Sequence, residues 1–190
     1  MSDTREWSSR VLTVPNALSF LRILLIPAFV GLIVDHDTSR AGLILFGVVS
    51  ATDWVDGWVA RRTGQVSELG KILDPTADRL AIAAGLIALV VRGAFPLGAA
   101  LPILVRDGAI ILAGAALLAR TRARIEVRFV GKAATFSLMC AIGFVSCGNL
   151  GMPLEHAFLA LGWVAYGIGI LEYAIATWAY AGDIRRALAA

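Results

Sequence analysis

Four aspartates lie within or beside apolar segments of the chain, where a charged side chain is costly. Asp53 and Asp56 are three residues apart, and Asp74 and Asp78 are four residues apart. On a helix, each of these spacings places both residues on the same face. The short connection between the two segments predicts an antiparallel hairpin, at one end of which all four carboxylates can converge. Ionisable groups at such positions are candidates for function.

Four carboxylates in one pocket repel one another unless cations offset their charge. Carboxylate oxygens favour hard ions such as Mg²⁺, Mn²⁺ or Ca²⁺, and two divalent ions balance four negative charges. A pair of ions held in this way can stabilise the attacking and the leaving oxygen of a phosphoryl transfer. The same acids could instead form the ion site of a small cation transporter.

The residues between the acids favour phosphate chemistry over ion transport. Gly57, Ala60 and Gly70 are small enough to let a ligand approach the backbone closely. Arg61 adds a fixed cation suited to phosphate, which a cation path does not need. Small residues also mark ordinary helix contacts in membranes. A non-catalytic scaffold would have no use for costly buried acids.

The composition places these residues in a membrane protein. Hydrophobic residues make up 58% of the 190 residues and charged residues 16%, against about 25% charged residues in soluble domains. This balance excludes a soluble globule and a disordered chain. We predict an all-α integral membrane protein with six transmembrane helices around a cytoplasm-facing polar site. The predicted helices cover about 14–34, 41–60, 75–91, 96–119, 129–147 and 153–180.

The distribution of cations predicts how the chain lies in the membrane. Lysines and arginines are concentrated before the first segment and after the second, fourth and sixth, whereas the opposite connections hold only Arg40 and Arg92. This bias predicts both termini and the polar site on the cytoplasmic side of the plasma membrane. The net charge of +3 fits anionic head groups, and no nucleic-acid partner is expected. The predicted organisation is an interfacial segment over 1–12, a six-helix domain over 13–182 and a cytoplasmic tail over 183–190.

The acids and the small residues together form one spaced pattern of 26 residues. All eight of its fixed positions resemble the signature of the CDP-alcohol phosphatidyltransferase family. At average residue usage, a chance match is on the order of one in 10⁹ per starting position. The pattern reads Asp53-x2-Asp56-Gly57-x2-Ala60-Arg61-x8-Gly70-x3-Asp74-x3-Asp78.

The resemblance implies a metal-dependent transferase that uses two Mg²⁺ or Mn²⁺ ions and is usually homodimeric. Family members transfer a phosphatidyl group from CDP-diacylglycerol to an acceptor hydroxyl and release CMP. Asp78 would be the base that takes the acceptor proton. The metal ligands would be Asp53, Asp56, Asp74 and Asp78. The CDP pocket would be lined by Asp53, Asp56, Gly57, Ala60, Arg61 and Gly70.

Several polar residues outside the signature are candidates for binding the acceptor. The stretch 14–22 looks like the branch of the family that makes phosphatidylglycerophosphate or cardiolipin. Within it, Asn16 and Arg22 have either a site role or a structural hydrogen-bonding role. In the fourth segment, Arg106 and Asp107 form either a self-contained ion pair or a site in which Arg106 faces the acceptor phosphate.

The start of the fifth segment bears on the identity of the acceptor. Gly131-Lys132-x2-Thr135 resembles the Gly-Lys-x-Lys-Thr-x2-Gln stretch of phosphatidylglycerophosphate synthases, but Ala134 and Ser137 replace its second lysine and its glutamine. Glycerol 3-phosphate carries a monoester charge of about −1.5 to −2, whereas phosphatidylglycerol is a monoanion and needs fewer cations. The missing second lysine favours a cardiolipin synthase, but glycerol 3-phosphate and phosphatidylglycerol both remain possible acceptors. A phosphatidylinositol-phosphate synthase is a further alternative. In the sixth segment, Glu172 is predicted to pair with an arginine of a neighbouring helix.

Overall fold

The computed structural model describes the backbone of residues 14–63, 70–121 and 129–189. It describes the side chains of residues 17, 19–52, 77–109, 111–112, 131 and 133–178. Over these ranges the chain forms six helices and no strand, which confirms the all-α prediction. The predicted interfacial segment 1–12 lies outside the described residues. The helices are α1 (Val14–Val34), α2 (Ser39–Thr63), α3 (Gly70–Val91), α4 (Leu97–Thr121), α5 (Phe129–Asn149) and α6 (Glu155–Ala189).

Three of the predicted helices, those over 75–91, 96–119 and 153–180, begin at a proline, because proline is favoured in the first turn of a helix. The structure agrees closely with two of these three starts. The carbonyl oxygen of Pro96 accepts hydrogen bonds from the N–H groups of Ala99 and Ala100, so α4 begins where the sequence predicts. Pro153 lies two residues before α6. The prediction that Pro75 starts α3 is wrong, because the helix already begins at Gly70. Pro75 is the sixth residue of α3, so it lies beyond the four N–H groups without partners and removes one intrahelical hydrogen bond, which the helix tolerates.

The chain divides into two compact units, Met1–Asp107 and Gly108–Ala190. In the first unit, α1 packs extensively against both α2 and α3, and α2 touches α3 over a smaller area. In the second unit, α5 and α6 pack against each other. The last helix continues to Ala189, through most of the stretch 183–190 that the sequence predicts as a tail.

The helices α1 and α2 form a close antiparallel pair. A Cβ atom added at Gly42 would lie 2.5 Å from the backbone nitrogen of Ile33, so the two backbones nearly touch there. The rings of Phe29 and Phe46 pack at a centroid distance of 5.3 Å. From the Gly42–Ile33 contact to the Phe46–Phe29 contact, the chain advances four residues along α2 and goes back four residues along α1. The two contacts therefore agree with one antiparallel register.

The helices α2 and α3 are also antiparallel and in step. Arg92 donates from Nε to the Ser39 hydroxyl at 2.6 Å. A Cβ atom added at Gly85 would clash with the ring of Phe46. On α2 the two contacts are seven residues apart, and Arg92, which directly follows α3, is seven residues beyond Gly85. Both contacts therefore agree with one antiparallel register.

A glycine ends α3 and turns the chain towards α4. Gly93 has a φ of 77°, a conformation that residues with a side chain rarely adopt. The N–H of Ala94 bonds to the carbonyl of Leu89 at 2.8 Å, and the N–H of Gly93 bonds to that of Val90 at 3.0 Å. This is the Schellman arrangement of a helix end. After this turn, α4 runs back along α3, and Asp107 of α4 bonds to Arg79 near the middle of α3.

One stretch among the described helices, Glu155–Trp178 of α6, is both long and apolar enough to cross a membrane on its own. Shorter apolar stretches lie in α1, α2 and α5, at Ser19–Val34, Ser39–Thr52 and Ala133–Asn149. Large apolar side chains are also exposed in both units. They include Phe20 and Leu24 in α1, Val105 and Leu112 in α4, Phe136 in α5 and Trp178 in α6.

Candidate functional site

The signature residues lie on two neighbouring helices of the first unit. The last turns of α2 carry Asp53, Asp56, Gly57, Ala60 and Arg61, and the first turns of α3 carry Gly70, Asp74 and Asp78. The helical backbone agrees with the spacing argument that each aspartate pair shares a face. Apart from Asp78, the side chains of these residues lie outside the described residues, so their contacts are not described.

Asp78 lies on the inward side of α3. It is partly buried and shares a helix face with Ala81 and Ile82, which are 2% and 5% exposed. The preceding residue, Ala77, is fully buried. Asp78 therefore lies on the buried side of α3.

The helix register predicts which residues lie at the level of Asp78. Seven residues beyond the Phe46–Gly85 contact, α2 reaches Asp53 and α3 reaches Asp78. Seven residues from the Phe29–Phe46 pair, α1 reaches Arg22 and α2 again reaches Asp53. All three helices continue through these positions. We therefore expect Arg22, Asp53 and Asp78 to lie at one level of the unit.

Arg22 is buried although it is charged, with only 3% of its surface exposed. It belongs to a buried stripe of α1 that also contains Ser19, Phe29 and Ile33. Arg22 lies on the same side of α1 as Phe29, whose ring contacts Phe46 of α2. Arg22 therefore lies inside the helix packing and does not face lipid. Asn16 lies in the first turn of α1, and its side chain is outside the described residues.

A second group of charges joins α3 to α4. Arg79 donates from Nη1 to Oδ1 of Asp107 at 3.0 Å, and Arg106 donates from Nη1 to the same oxygen at 3.1 Å. The Arg106–Asp107 ion pair, one of the two interpretations of the sequence, is present, and through Arg79 it joins α4 to α3. The other interpretation, in which Arg106 faces the acceptor phosphate, stays a prediction. Arg79 is absent from the sequence-based candidates. The sequence shows that Arg79 directly follows Asp78, which could have drawn attention to it. The sequence does not show that Asp107 of α4 lies against this arginine.

The second unit carries its own polar contact. Ser137 of α5 donates its hydroxyl to Oε2 of Glu172 in α6 at 2.9 Å. For the described side chains, the partner of Glu172 is this serine, so the prediction of an arginine partner is wrong. Lys132 lies in the first turn of α5, and its side chain is outside the described residues.

The described side chains include no group of three that could hold a metal ion. Of the four aspartates of the signature, only Asp78 has a described side chain. The predicted ligand set therefore remains a prediction from the signature.

The fold and the site define an all-α protein in which buried charges gather on otherwise apolar helices. The sequence model of CDP-alcohol phosphatidyltransferase matches residues 12–174. The chain belongs to the CDP-alcohol phosphatidyltransferase family, as the signature indicates.

The chain is similar to proteins of several bacteria, three of which illustrate the range. A Mycobacterium tuberculosis protein, provisionally named a cardiolipin synthase, is 37% identical over 174 residues, which cover 90% of this chain and 81% of that protein. The cardiolipin synthase (CMP-forming) of Streptomyces coelicolor is 33% identical, with coverages of 98% and 89%. The CDP-diacylglycerol–glycerol-3-phosphate 3-phosphatidyltransferase of Bacillus subtilis is 32% identical, with coverages of 88% and 92%.

Proposed function

We propose that this chain transfers a phosphatidyl group from CDP-diacylglycerol to the hydroxyl of a glycerol-type acceptor and releases CMP. The observation that carries the proposal is the complete eight-position signature on α2 and α3. The family match over residues 12–174 supports it. The names of the Streptomyces and Bacillus relatives, both of which denote phosphatidyl transfer to a glycerol-type acceptor, support it further.

The favoured acceptor is phosphatidylglycerol, which would make the product cardiolipin. The Mycobacterium and Streptomyces relatives, which cover 90% and 98% of this chain, are named for cardiolipin synthesis. Ala134 takes the place of a lysine that phosphatidylglycerophosphate synthases carry in the matching stretch. Glycerol 3-phosphate is the second candidate, because the Bacillus relative that carries this acceptor in its name covers nearly the whole chain.

The four aspartates suit a pair of Mg²⁺ or Mn²⁺ ions. Their oxygens are the hard donors that these ions prefer. The register supports a shared pocket, because it brings Asp53 of α2 level with Asp78 of α3. Bound there, the ions would neutralise charge on the phosphate oxygens of the substrate. The ligands proposed are Asp53, Asp56, Asp74 and Asp78.

The chain's own residues bind the substrates and move the proton. The acceptor hydroxyl has a pKa far above 7 and needs a base beside it, a role assigned here to Asp78. As the acceptor oxygen bonds to the lipid-side phosphorus, the bond from this phosphorus to the bridging oxygen breaks, and CMP leaves with that oxygen. Arg61 holds the CDP phosphates, and the small residues Gly57, Ala60 and Gly70 let them approach the backbone. The candidates for holding the acceptor in the first unit are Arg106, Asn16 and Arg22. Lys132 of the second unit is a separate candidate that rests on the resemblance of its stretch of sequence.

We also propose that all six helices span the plasma membrane and that the site and both termini face the cytoplasm. The shortest helices, α1 and α5, each have 21 residues, and about 20 residues suffice to cross a bilayer. The exposed apolar side chains of α1, α4, α5 and α6 fit a surface that faces lipid. The positions of the lysines and arginines support the orientation. A homodimer is proposed on the family resemblance alone.

The proposal is tested by measuring CMP release by the purified full-length protein. We expect release that depends on CDP-diacylglycerol, on phosphatidylglycerol or glycerol 3-phosphate, and on Mg²⁺ or Mn²⁺. Asp78→Asn should lower the rate by about 10²-fold or more, because the base is lost. Asp35→Asn is the control, since Asp35 is an exposed acid in the α1–α2 connection.

Two results would contradict the proposed mechanism. One is CMP release that survives metal chelation, and the other is an Asp78→Asn variant as active as the wild type. Failure of both acceptors to release CMP would instead overturn the assignment of a glycerol-type acceptor.

A further inference from the structure

A serine near the middle of α2 has a buried hydroxyl group that needs an explanation. The Oγ atom of Ser50 is buried and forms no hydrogen bond with the described part of the chain. A hydroxyl inside a helix usually either faces water or bonds back to a carbonyl of the preceding turn. Thr52 takes the second course and donates to the carbonyl of Val49 at 2.7 Å. Ser50 takes neither, and a buried polar group without a partner is costly.

Ser50 lies between an apolar layer and the expected level of the acids. It shares a face of α2 with Phe46, whose ring packs against Phe29 of α1 and lies over Gly85 of α3. Three residues further along the same face, α2 reaches Asp53. The rise between Ser50 and Asp53 is about 4.5 Å along the helix axis. Ser50 is therefore within one helical turn of a proposed metal ligand.

The two neighbouring helices offer no polar side chain at the level of Ser50. The register between the helices places Ser50 level with Ala81 of α3 and with Leu25 of α1. Neither an alanine nor a leucine side chain can form a hydrogen bond. On its own helix, the next polar group on the same face towards the site is that of Asp53. The hydroxyl group of Ser50 therefore has a potential acceptor on one side only.

We propose that Ser50 is a positioning residue of the metal site, whose hydroxyl donates a hydrogen bond to the carboxylate of Asp53 when divalent ions are bound. The inference rests on the proposed metal-dependent transfer. It adds to the site a residue that lies outside the eight-position signature, which begins at Asp53.

The physical reason is the orientation of a carboxylate that binds a metal. Such a carboxylate keeps lone pairs that can accept a hydrogen bond, and the donor fixes its position. A hydroxyl donor also stabilises the charged form of the acid without adding a positive charge that would repel the metal. The cost of an unpaired hydroxyl is then tolerated in the metal-free protein, because the site needs this group when it is loaded.

The test measures the binding of Mn²⁺ alone to the purified full-length protein, without any lipid substrate. The thermal midpoint in detergent should rise for the wild type as Mn²⁺ is added, because binding stabilises the folded state. Ser50→Ala should need about tenfold more Mn²⁺ for half of this rise. Without metal, the same variant should be as stable as the wild type or more stable, since an unpaired buried hydroxyl is removed.

Ser146→Ala is the matched control. The Oγ atom of Ser146, in α5 of the second unit, is also buried without a hydrogen-bond partner. Its removal should have the same effect on metal-free stability and leave the Mn²⁺ titration unchanged. If Ser50→Ala does not yield folded protein, Ser50→Cys takes its place in the titration, because a thiol is of similar size and only a weak donor.

Three results would count against these assignments. An unchanged Mn²⁺ titration in the Ser50 variant overturns the inference, even if CMP release falls, because the hydroxyl would then serve the substrate instead. An equal weakening of Mn²⁺ binding in Ser146→Ala also overturns it, because the effect would then follow the loss of any buried hydroxyl. A wild-type protein that Mn²⁺ does not stabilise overturns the proposed metal site, whereas CMP release by that protein decides the proposed transfer separately.

Discussion

At the scale of single residues, the burial of Arg22 needs a chemical explanation. Only 3% of its surface is exposed, and a guanidinium deprived of water needs a compensating negative charge or polar partners. The register of α1, α2 and α3 brings Arg22 level with Asp53 and Asp78. A buried cation at the level of a carboxylate cluster reduces the repulsion among the acids. We therefore predict that Arg22 belongs to the polar site.

Replacement of Arg22 should affect both activity and stability. Arg22→Gln leaves nearby carboxylates without their buried cation, so we expect CMP release to fall by about tenfold or more and stability by about 3 kcal/mol. Arg40→Gln is the matched control, because Arg40 is an exposed arginine near the start of α2. The rate of CMP release and the thermal midpoint in detergent are the measurements. Wild-type activity in Arg22→Gln would show that the residue lies outside the site.

Much of the candidate site could be predicted from the sequence, because spacing on a helix fixes which residues share a face. The pairing of Asp53 with Asp56 and of Asp74 with Asp78 needed only helical periodicity. The ion pair between Arg79 and Asp107 could not be predicted, because it depends on which side of α3 lies against α4. The partner of Glu172 was mispredicted for the same reason, since a serine on α5 lies opposite it.

At the scale of the helices, most boundaries could also be predicted from the sequence. The start and end of α1 agree with the prediction, and Pro96 marks the start of α4. The start of α3 was predicted too late, because Pro75 was taken as the first residue of a helix that in fact begins at Gly70 and continues through the proline. The register between helices could not be predicted either, because it depends on where two backbones can approach. Gly42 and Gly85 supply those points of approach.

The close approach at Gly42 predicts a large difference between two glycines of the same helix. In Gly42→Ala, the new Cβ would meet the backbone of Ile33, which cannot move aside as a flexible side chain can. Separating α1 from α2 should cost about 1–3 kcal/mol. A Cβ at Gly47 would have no neighbour within 4 Å, so Gly47→Ala should be neutral or stabilise the helix by up to about 1 kcal/mol.

The fraction of each variant that stays soluble in detergent after heating measures this difference. Gly42→Ala should lose solubility at a lower temperature than the wild type, and Gly47→Ala should not. Equal midpoints for the two variants would mean that α1 and α2 do not approach closely at Gly42.

At the scale of the whole molecule, the central question is how many helices cross the membrane. Only Glu155–Trp178, among the described helices, passes a test of length and apolarity by itself. In α3 and α4, the charged residues Arg79, Arg106 and Asp107 are bonded to one another. An interior ion-pair group lowers the cost of placing such helices in a bilayer. These charges are therefore compatible with the proposal that α3 and α4 also cross the membrane.

Labelling of single cysteines decides the arrangement of the helices. Cys140 and Cys147 are first replaced by alanine, and single cysteines are then introduced at four sites in or beside the connections. Both His36, between α1 and α2, and His156, near the start of α6, have exposed side chains and should lie outside the cell. An impermeant maleimide should therefore label His36→Cys and His156→Cys in intact cells. Ser67→Cys and Arg124→Cys, in the predicted cytoplasmic connections, should react only after permeabilisation. Labelling of Ser67→Cys in intact cells would place the aspartate signature on the wrong side of the membrane for cytoplasmic CDP-lipid chemistry and would overturn the orientation.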